Sequence, residues 1–511
     1  MAIYDFPLSL ILKPEAGSPM PESCGLRPHC FLPVYVLLFF RPVISALVGT
    51  VKYPMKKSQL DLRNEPVGSL LWKMSLPSIT AMLVMAFYNF VDVFWLSRLG
   101  PQTIAAVTIA FPIQMLFGGF GVGTGVGAGS YAARMFGAGD NEKANQTAGQ
   151  IMFLSIFISA VVIAPGLIFH DAILKLFGAT EEILPLSREY FIVYLFTTPF
   201  LIFMISAGNL FRAEGNPNYS MYALTTAALL GAVLDPFLIF GWGPFPELGI
   251  SGAAWAAGIS QLVTCVVSLW LFMKPTSSYQ IRREHLAPNI PVIRAIYRVG
   301  FPSMVMNFVI SIVLTFYNHI LGSYGPAAVA TLGIIFRVQG LIIWVLVGIG
   351  HGVMPLVGFN YSARLYGRLI ETVNVAVKYA GILTIVSCAF LQIFAGPLIG
   401  IFTKDPEVLA IAVPALRIFA LSLPFAGANF TWISMFNGLG KGVISMSLLL
   451  LRDIVLLIPL LILLSMQFGL TGVWAAQPMA NVCLFLGALY LTKREFRSFP
   501  AQAGQPPDPS K

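Results

Sequence analysis

The segment Tyr131-Ala-Ala-Arg-Met-Phe-Gly137 recurs further along the chain as Tyr361-Ser-Ala-Arg-Leu-Tyr-Gly367. Three more pairs of short segments keep the same order at a separation of roughly 220 to 230 residues: Leu76-Pro77-Ser78 with Phe301-Pro302-Ser303, Gly100-Pro101 with Gly325-Pro326, and Gly249-Ile-Ser-Gly252 with Gly469-Leu-Thr-Gly472. The conserved order predicts that the chain consists of two homologous halves. Two-fold repeats of apolar helices are typical of secondary transporters, which bind their substrates between the halves.

The composition predicts that both halves lie in a membrane. Of the 511 residues, 57% are hydrophobic and 10% are charged, whereas a soluble domain has about 25% charged residues. Because a spanning helix needs about 20 apolar residues, the apolar runs predict about twelve helices, near 70–97, 103–129, 147–169, 188–211, 217–241, 249–273, 297–321, 327–356, 373–398, 409–436, 443–467 and 470–492. The long runs do not alternate, which excludes a lipid-facing β-barrel. The predicted fold class is an all-α polytopic membrane protein with two six-helix lobes.

The distribution of basic residues predicts the orientation in the membrane. A net charge of +9 is also found in nucleic-acid-binding proteins, but here the basic residues are concentrated in alternate connections. Those in the central and even-numbered connections and the C-terminal segment are Arg134, Lys143, Lys274, Arg282, Arg283, Arg294, Arg298, Arg364, Arg368, Lys441, Lys493, Arg494 and Arg497, against Arg98, Lys175, Arg188 and Lys404 in the others. This positive-inside asymmetry predicts a multi-pass protein of the cell (inner) membrane with both termini in the cytoplasm, and it does not indicate a nucleic-acid partner.

The repeat divides the chain into five predicted segments: an N-terminal extension at 1–54, an N-lobe with helices 1–6 at 55–275, a cytoplasmic inter-lobe loop at 276–296, a C-lobe with helices 7–12 at 297–495, and a cytoplasmic tail at 496–511. The extension fits this plan poorly, because Pro33, Arg41 and Pro42 interrupt its apolar run. It is either an extra membrane segment or a translated upstream extension with the natural start at Met55. The basic sequence after Met55 favours the second alternative.

The connections argue against an enzyme. None exceeds about twenty residues, which is too short to house a soluble domain, and the sequence has no nucleophile elbow, Walker loop or histidine-based metal motif. The glycine run from Gly118 to Gly129 contains a dinucleotide-type pattern, but it lies inside an apolar helix with no preceding strand. It indicates close helix packing or a sliding helix instead. We therefore expect no cofactor and no metal, and a proton or sodium gradient as the energy source.

Two carboxylates inside the predicted helices are the strongest functional candidates. Asp92 lies late in predicted helix 1, and Asp235 lies late in predicted helix 5, so both should lie in the outer half of the membrane. A charged side chain in a spanning helix costs several kcal/mol unless it is paired, hydrated or protonated. Burial and a neighbouring carboxylate both favour the protonated form, so this pair could exchange a proton or hold a sodium ion. The alternative is that each acid has a fixed structural partner, for example Arg98 or a helix end.

The second half lacks this pair. By the repeat, Asp235 aligns with Leu460, and Asp92 aligns with an uncharged position near Tyr317. Arg452 and Asp453 are adjacent in predicted helix 11, but successive helix residues project about 100° apart. We expect each to pair with another helix and to fix helix packing. The ion site is therefore predicted to be asymmetric and to lie in the N-lobe.

Pro77, near the start of predicted helix 1, removes a backbone hydrogen bond and permits a bend. A helix that can bend and that carries Asp92 is a candidate transducer between protonation and the shape of the cavity.

Four motifs in the correct order resemble the multidrug and toxic compound extrusion (MATE) family, over about residues 70–494. They are Phe87-Tyr88-Asn89-Phe90-Val91-Asp92 followed by Leu99-Gly100, Gly137-Ala-Gly-Asp140, Phe211-Arg212-Ala-Glu-Gly215-Asn216-Pro217, and Leu234-Asp235-Pro236. The resemblance implies two six-helix lobes around a V-shaped cavity. It also implies alternating access driven by protons or sodium, with efflux of varied, often cationic amphipathic compounds.

Within the family the sequence is similar to the DinF-like prokaryotic branch. That resemblance implies ion coupling at Asp92 and Asp235, a helix-1 bend at Pro77, and supporting or cavity roles for Tyr88, Tyr190 and Arg212. We add two polar candidates to the cavity set, Asn89 and Asn209. The acidic residues that NorM-like members place in helices 7 and 10 are missing here.

Two departures from the branch bear on the coupling ion. Where relatives commonly have Asn one turn before the helix-5 Asp, this chain has Gly231, and a Thr expected in helix 6 aligns with Ala253. Sodium needs several oxygen ligands, whereas proton exchange needs only the carboxylates. The departures therefore favour proton coupling.

The leading interpretation is a monomeric, cation-coupled exporter of small molecules that is surrounded by lipid. A flippase for lipid-linked precursors has the same helix plan, but it should have a basic cavity, and few Arg or Lys residues are predicted inside the N-lobe. A channel or receptor is disfavoured by the twelve-helix repeat and by the absence of a sensory domain.

Overall fold

The computed structural model describes residues 60–500, so the predictions for the extension and for a start at Met55 lie outside the described residues. Helices make up most of this part of the chain, and it contains no strand. The spanning helices are α1 (Val67–Ser97), α2 (Pro101–Ala138), α3 (Asn141–Ile168), α4 (Leu184–Ala213), α5 (Pro217–Phe240), α6 (Gly249–Phe272), α7 (Ile290–Gly322), α8 (Pro326–Ser362) and α9 (Tyr366–Phe402), followed by α10 to α12. Several extend beyond the predicted apolar runs, because a helix can continue into polar sequence after it leaves the apolar region.

The last three helices are interrupted, which changes how they are counted. Helix α10 consists of two pieces, Pro406–Ala420 and Leu423–Gly438, bent by 49°. One apolar helical stretch then runs over Gly442–Arg497, and it has a non-helical residue, Gly469, with φ of 58°. We call the part before Gly469 α11 (442–468) and the part after it α12 (470–497). Counted in this way, the described chain has the twelve predicted spanning helices, six in each lobe.

Backbone geometry repeats between the lobes at the positions where the sequence repeats. Gly100 and Gly325 precede α2 and α8 with φ of 111° and 104°, conformations that favour glycine. Gly249 is the first residue of α6 and Gly469 immediately precedes α12, with φ of 55° and 58°. The sequence repeat is thus also a structural repeat.

The glycine run in α2 allows close packing on two faces, as the sequence predicted. A Cβ placed on Gly125 would lie 2.7 Å from the side-chain nitrogen of Asn209 in α4. On another face, a Cβ on Gly127 would lie 2.2 Å from the carbonyl oxygen of Ile296 in α7. Small residues permit such backbone approaches between membrane helices. Helix α2 therefore joins the rest of its own lobe to the C-lobe.

Among the described residues, an apolar core shared by the two lobes lies towards one side of the molecule. We call the side that carries the connection between α6 and α7 the connection side. There one apolar core includes Leu71 and Met74 of α1 together with Val353 of α8 and Trp432 of α10. Towards the opposite side the apolar cores are separate, one in the N-lobe around Phe191 and one in the C-lobe. The first half of α1 thus packs on the C-lobe, and its last half packs in the N-lobe.

The adjacent charges in α11 contradict the predicted pairing. Arg452 Nε and Asp453 Oδ1 are 2.7 Å apart, and a second bond between the same side chains measures 2.8 Å. The prediction that each pairs with another helix is wrong. Residues Leu451–Leu457 form a π-helical turn, which widens the helix. In this turn the long side chain of Arg452 contacts the carboxylate of the next residue, Asp453.

Candidate functional site

The two predicted carboxylates lie together in the N-lobe. Asp92 in α1 and Asp235 in α5 are close enough to interact electrostatically. Both lie in the half of the lobe opposite the connection side, because α1 and α5 each begin on the connection side and carry their acid near the other end. The structure thus joins two residues that are far apart in sequence.

Asp235 has no polar partner among the described residues. Its side chain is fully buried, and neither carboxylate oxygen accepts a hydrogen bond there. No basic side chain of the described chain forms an ion pair with Asp92 or Asp235. A buried carboxyl group without a partner is expensive in its charged form, so the structural alternative of a fixed ion pair, such as Asp92 with Arg98, does not describe this site.

Tyr88 packs against α5 directly beside the acids. A Cβ placed on Gly231 would lie 2.9 Å from Tyr88 Cε2 and 3.2 Å from its hydroxyl oxygen. The ring of Tyr88 therefore occupies the space that a side chain at position 231 would need. Tyr88 also lies within electrostatic range of both Asp92 and Asp235, so its phenol forms part of the acid site.

Tyr190, near the start of α4, completes one wall of the site. Its hydroxyl oxygen accepts a hydrogen bond of 2.6 Å from the Gln114 amide, and its ring stacks on Tyr194 at a centroid distance of 6.2 Å. Sequence reasoning did not include Gln114 or Tyr194 among the site residues. A polar amide in the middle of apolar α2 was the available signal for Gln114, whereas Tyr194 resembles the many other aromatic residues of the core.

Two further predicted residues, Asn89 and Pro77, also lie on α1, but neither shows its predicted role in this structure. Asn89 is exposed and makes no hydrogen bond to any described residue. Pro77 lies inside α1, which continues through it from Val67 to Ser97. The helix is thus unbroken at Pro77 in this structure, and the predicted bend stays a prediction.

Arg212 and Asn209 lie far from the acids, near the other end of α4. Twenty-two residues separate Tyr190 from Arg212, which corresponds to roughly 30 Å along a helix. Arg212 is buried and donates to the hydroxyl of Ser220, while Asn209 packs under the glycines of α2. The predicted set therefore separates into an acid site and a second polar region where α4 faces the C-lobe.

One group of side chains has the composition of a metal site. Glu142, Glu284 and His285 lie near one another at the start of α3 and in the connection. His285 Nδ1 accepts a hydrogen bond of 3.1 Å from the backbone N–H of Arg282, which places the ring proton on Nε2, 2.8 Å from Glu142. A metal would need the Nε2 lone pair. This tautomer instead favours a hydrogen bond that docks the connection on α3.

The family profile named MatE matches residues 77–237 and 302–463. The two matches lie in the two lobes and cover more than half of the chain. The chain belongs to the MatE family. Its members are transporters, so the protein is a transporter and not an enzyme, as the connections predicted.

The chain is similar to curated relatives and to solved structures over most of its length. The chain is 28% identical over 438 residues to the multidrug export protein MepA of Staphylococcus aureus (strain MRSA252), covering 85% of this chain and 96% of that protein. It is 27% identical over 446 residues to a protein named FAD transporter from Shewanella oneidensis, covering 86% and 97%. A solved structure described as an outward-facing multidrug resistance MATE transporter of the MOP superfamily superposes with a TM-score of 0.81 at 27% identity, covering 87% and 99%.

The two-lobed, twelve-helix fold that the sequence predicted is confirmed, and so is membership of a multidrug export family. The assignment to the DinF-like branch stays a prediction.

Proposed function

We propose that the protein is a proton-coupled exporter of small, often cationic amphipathic compounds, in which Asp92 and Asp235 carry the coupling proton. The observation that carries the proposal is the buried Asp235 carboxyl group, which has no hydrogen-bond partner or counter-ion among residues 60–500. Protonation removes the cost of burying its charge. Loss of the proton makes hydration or a cationic substrate favourable nearby.

Competition between two positive charges supplies the exchange step. The two carboxylates interact with each other, so one site accommodates protons or one organic cation, but the presence of both is unfavourable. A proton that arrives from outside displaces the cation outward. When the site next faces inward, a substrate cation displaces the proton. This reciprocal binding is the linkage that antiport requires.

The surroundings of Asp235 favour a proton over a sodium ion. Hard cations are held by several oxygen ligands at once, but the position one turn before Asp235 is Gly231, and Tyr88 fills the space beside it. Ala253 in α6 is buried in the same apolar core as Tyr190, where an alanine supplies no ligand. A proton needs only the carboxyl oxygens.

Helix α1 is the proposed connection between protonation and movement. Its first half packs so closely on α8 that a Cβ on Gly352 would lie 2.4 Å from the Ser75 hydroxyl oxygen. Its last half carries Tyr88 and Asp92 beside α5. Pro77 lies within the first of these halves and leaves one backbone carbonyl without its usual partner. A change at Asp92 can therefore alter the angle at which α1 meets the C-lobe.

We further propose that the connection side faces the cytoplasm of a bacterial-type inner membrane and that the protein acts as a monomer. The excess of basic residues in the connections on that side supports this orientation. The names of MepA and of the solved MATE structure support multidrug efflux as the activity.

Efflux of a fluorescent cation such as ethidium tests the proposal. Inverted vesicles are loaded under a proton gradient alone or a sodium gradient alone, with wild type, Asp92→Asn and Asp235→Asn compared at equal membrane amounts. We expect movement that depends on the proton gradient and that is absent in both variants.

Asp171→Asn is the matched control, since Asp171 is an exposed acid that pairs with Arg188 outside the site. This variant should transport like wild type. Movement that follows the sodium gradient would contradict the proton assignment, and wild-type efflux by Asp92→Asn would contradict the role of the acid pair. No movement under either gradient would contradict the cationic substrate class.

A further inference from the structure

We propose that a cleft on the connection side binds the phosphate-bearing headgroup of an anionic membrane lipid and holds the two lobes together there. The cleft has a volume of about 770 Å³ and is lined by Tyr131, Arg134, Pro291, Arg294, Ala295, Tyr297 and Arg298. It lies between α2 of the N-lobe and α7 of the C-lobe. It is separate from the acid site, and the inference does not depend on the proposed transport function.

Arg134 is held in place but keeps donors available. Its Nε donates to the carbonyl oxygen of Ser130 at 3.2 Å, and its guanidinium lies over the Tyr131 ring, 5.5 Å from the centroid. The same guanidinium packs on the turn before α11, where a Cβ on Gly440 would lie 2.6 Å from Nη1. Its terminal nitrogens have no acidic acceptor in the described chain, and a planar fork of this kind suits phosphate oxygens.

Arg294 and Arg298 add two more guanidinium groups to that of Arg134. They are one turn apart on α7, so they lie on the same face of the helix, and both are exposed. Arg298 is also near enough to Arg134 for their positive charges to repel each other. Like charges one turn apart destabilise a helix slightly, so an anion that bridges the three arginines would be stabilising.

No acid lines the cleft, and in this it differs from several other basic positions nearby. Elsewhere on the connection side, Lys143 pairs with Asp140, Lys441 with Glu495, and Arg282 with Glu284. None of the three cleft arginines has an acidic partner among residues 60–500. The positive charge that is neutralised internally in those three pairs is left for an external anion in the cleft.

The position of the cleft favours a lipid over a soluble phosphate. Pro291 and Arg294 lie in the first turns of α7, and Tyr131 and Arg134 lie in the last turns of α2, so the cleft is at the ends of spanning helices, where headgroups are found. Basic pockets between membrane helices bind anionic headgroups, and tyrosines are enriched at this depth. A lipid there would contact both lobes at once.

Such a lipid would stabilise the closed arrangement of the lobes. Below the cleft, α2 and α7 approach so closely that a Cβ on Gly300 would lie 2.6 Å from the carbonyl oxygen of Gly123. Separation of the helices would move Arg134 away from Arg294 and Arg298, and a headgroup bound to all three opposes that separation.

Native mass spectrometry of the purified full chain tests the site, with phosphatidylglycerol compared with phosphatidylcholine. We expect wild type to retain phosphatidylglycerol and the double variant Arg294→Gln/Arg298→Gln to lose it. Because each arginine near an anionic lipid surface contributes roughly fivefold to binding, the double variant should bind phosphatidylglycerol about 25-fold more weakly. Its thermal midpoint should also no longer rise when the lipid is added.

Arg494→Gln/Arg497→Gln is the matched control, because it removes two exposed arginines on the same side, at the end of α12. This variant should bind phosphatidylglycerol like wild type, as should Asp92→Asn, which separates the lipid site from transport. Equal loss in both arginine double variants would reduce the effect to general surface charge and overturn the site. Displacement of bound phosphatidylglycerol by millimolar inorganic phosphate would assign the cleft to a soluble anion and overturn the lipid.

Discussion

The two lobes share one helix plan but treat buried charge in opposite ways. In the N-lobe, Asp92 and Asp235 lie together with no cation beside them in the described structure. In the C-lobe, the carboxylate of Asp453 is held by two hydrogen bonds from Arg452, and Tyr317 lies near that pair. The repeat places the uncharged Leu460 where the N-lobe has Asp235.

The difference lies in whether a carboxyl group inside the helices has a basic partner. The Asp453 carboxylate is bound by two hydrogen bonds from Arg452, and loss of either side chain would leave the other without its counter-charge. A carboxyl group without a partner changes its protonation without breaking any bond. The C-lobe pair is thus suited to hold structure, and in the proposed function the N-lobe pair carries the proton.

The largest expected effect is the loss of transport when Asp235 of the N-lobe pair is replaced. Asp235→Asn removes a titrating group and keeps the side-chain shape, so ethidium efflux should fall to the level of protein-free liposomes while thermal stability is maintained. The measurement is efflux from proteoliposomes together with thermal unfolding in detergent. A clearly lower thermal midpoint, or normal efflux, in Asp235→Asn would contradict the difference drawn between the lobes.

Asp453→Asn should show the reverse pattern. Removing one partner of a buried ion pair costs up to about 3–5 kcal/mol, and this pair is partly buried. The thermal midpoint should therefore fall, while the protein that remains folded still couples efflux to protons. The double variant Arg452→Leu/Asp453→Leu should recover most of the lost stability, since both charges are then absent. Loss of coupling in the stable double variant would contradict a structural role for this pair.

A smaller effect on stability is expected when the contact between Tyr88 and Gly231 is overpacked. Gly231→Ala puts a methyl group against the Tyr88 ring, and overpacking of this kind costs about 1–3 kcal/mol. Tyr88→Ala in the same chain should relieve that cost, whereas Tyr88→Phe should not, because ring carbons make the closest contact. Thermal unfolding measures all three. Gly333→Ala is the control, since a Cβ there has no neighbour within 4 Å, and an equal loss in that variant would contradict the contact.

The pH dependence of stability tests a further difference between the lobes, at a carboxyl group outside the spanning helices. Glu214 lies between α4 and α5, and the repeat aligns it with Leu439 as it aligns Gly215 with Gly440. Burial raises the pKa of Glu214 to about 7, although Asn216 and Ser277 donate hydrogen bonds to it.

Because this pKa is raised in the folded protein, the stabilisation is complete below about pH 4.5 and is lost as the pH rises through about 7. The expected change is of order 1–3 kcal/mol. Glu214→Gln should remove this part of the pH dependence between pH 5 and 8, and the exposed Glu181→Gln should leave it in place. Thermal midpoints at several pH values measure it, and a parallel pH profile in Glu214→Gln and wild type would disprove the contribution.

Much of this arrangement could be read from the sequence, and the failures have identifiable causes. The repeat and the apolar runs predicted twelve helices, and Asp92 and Asp235 were identified because charge is costly in a membrane. The pairing of Arg452 with Asp453 was missed because a π-turn is not visible in the apolar pattern. Arg212 was included in the cavity set by resemblance, and its distance from the acids follows from its place near the other end of α4.

Proton movement itself tests the central claim most directly. Proteoliposomes containing wild type, Asp92→Asn or Asp235→Asn are filled with a pH-sensitive dye in sodium-free buffer, and a substrate cation is then added outside. We predict that cation entry is accompanied by proton exit and a rise in luminal pH for wild type, with no change for either variant. Cation movement without a pH change, or an equal pH change in the variants, would contradict the account.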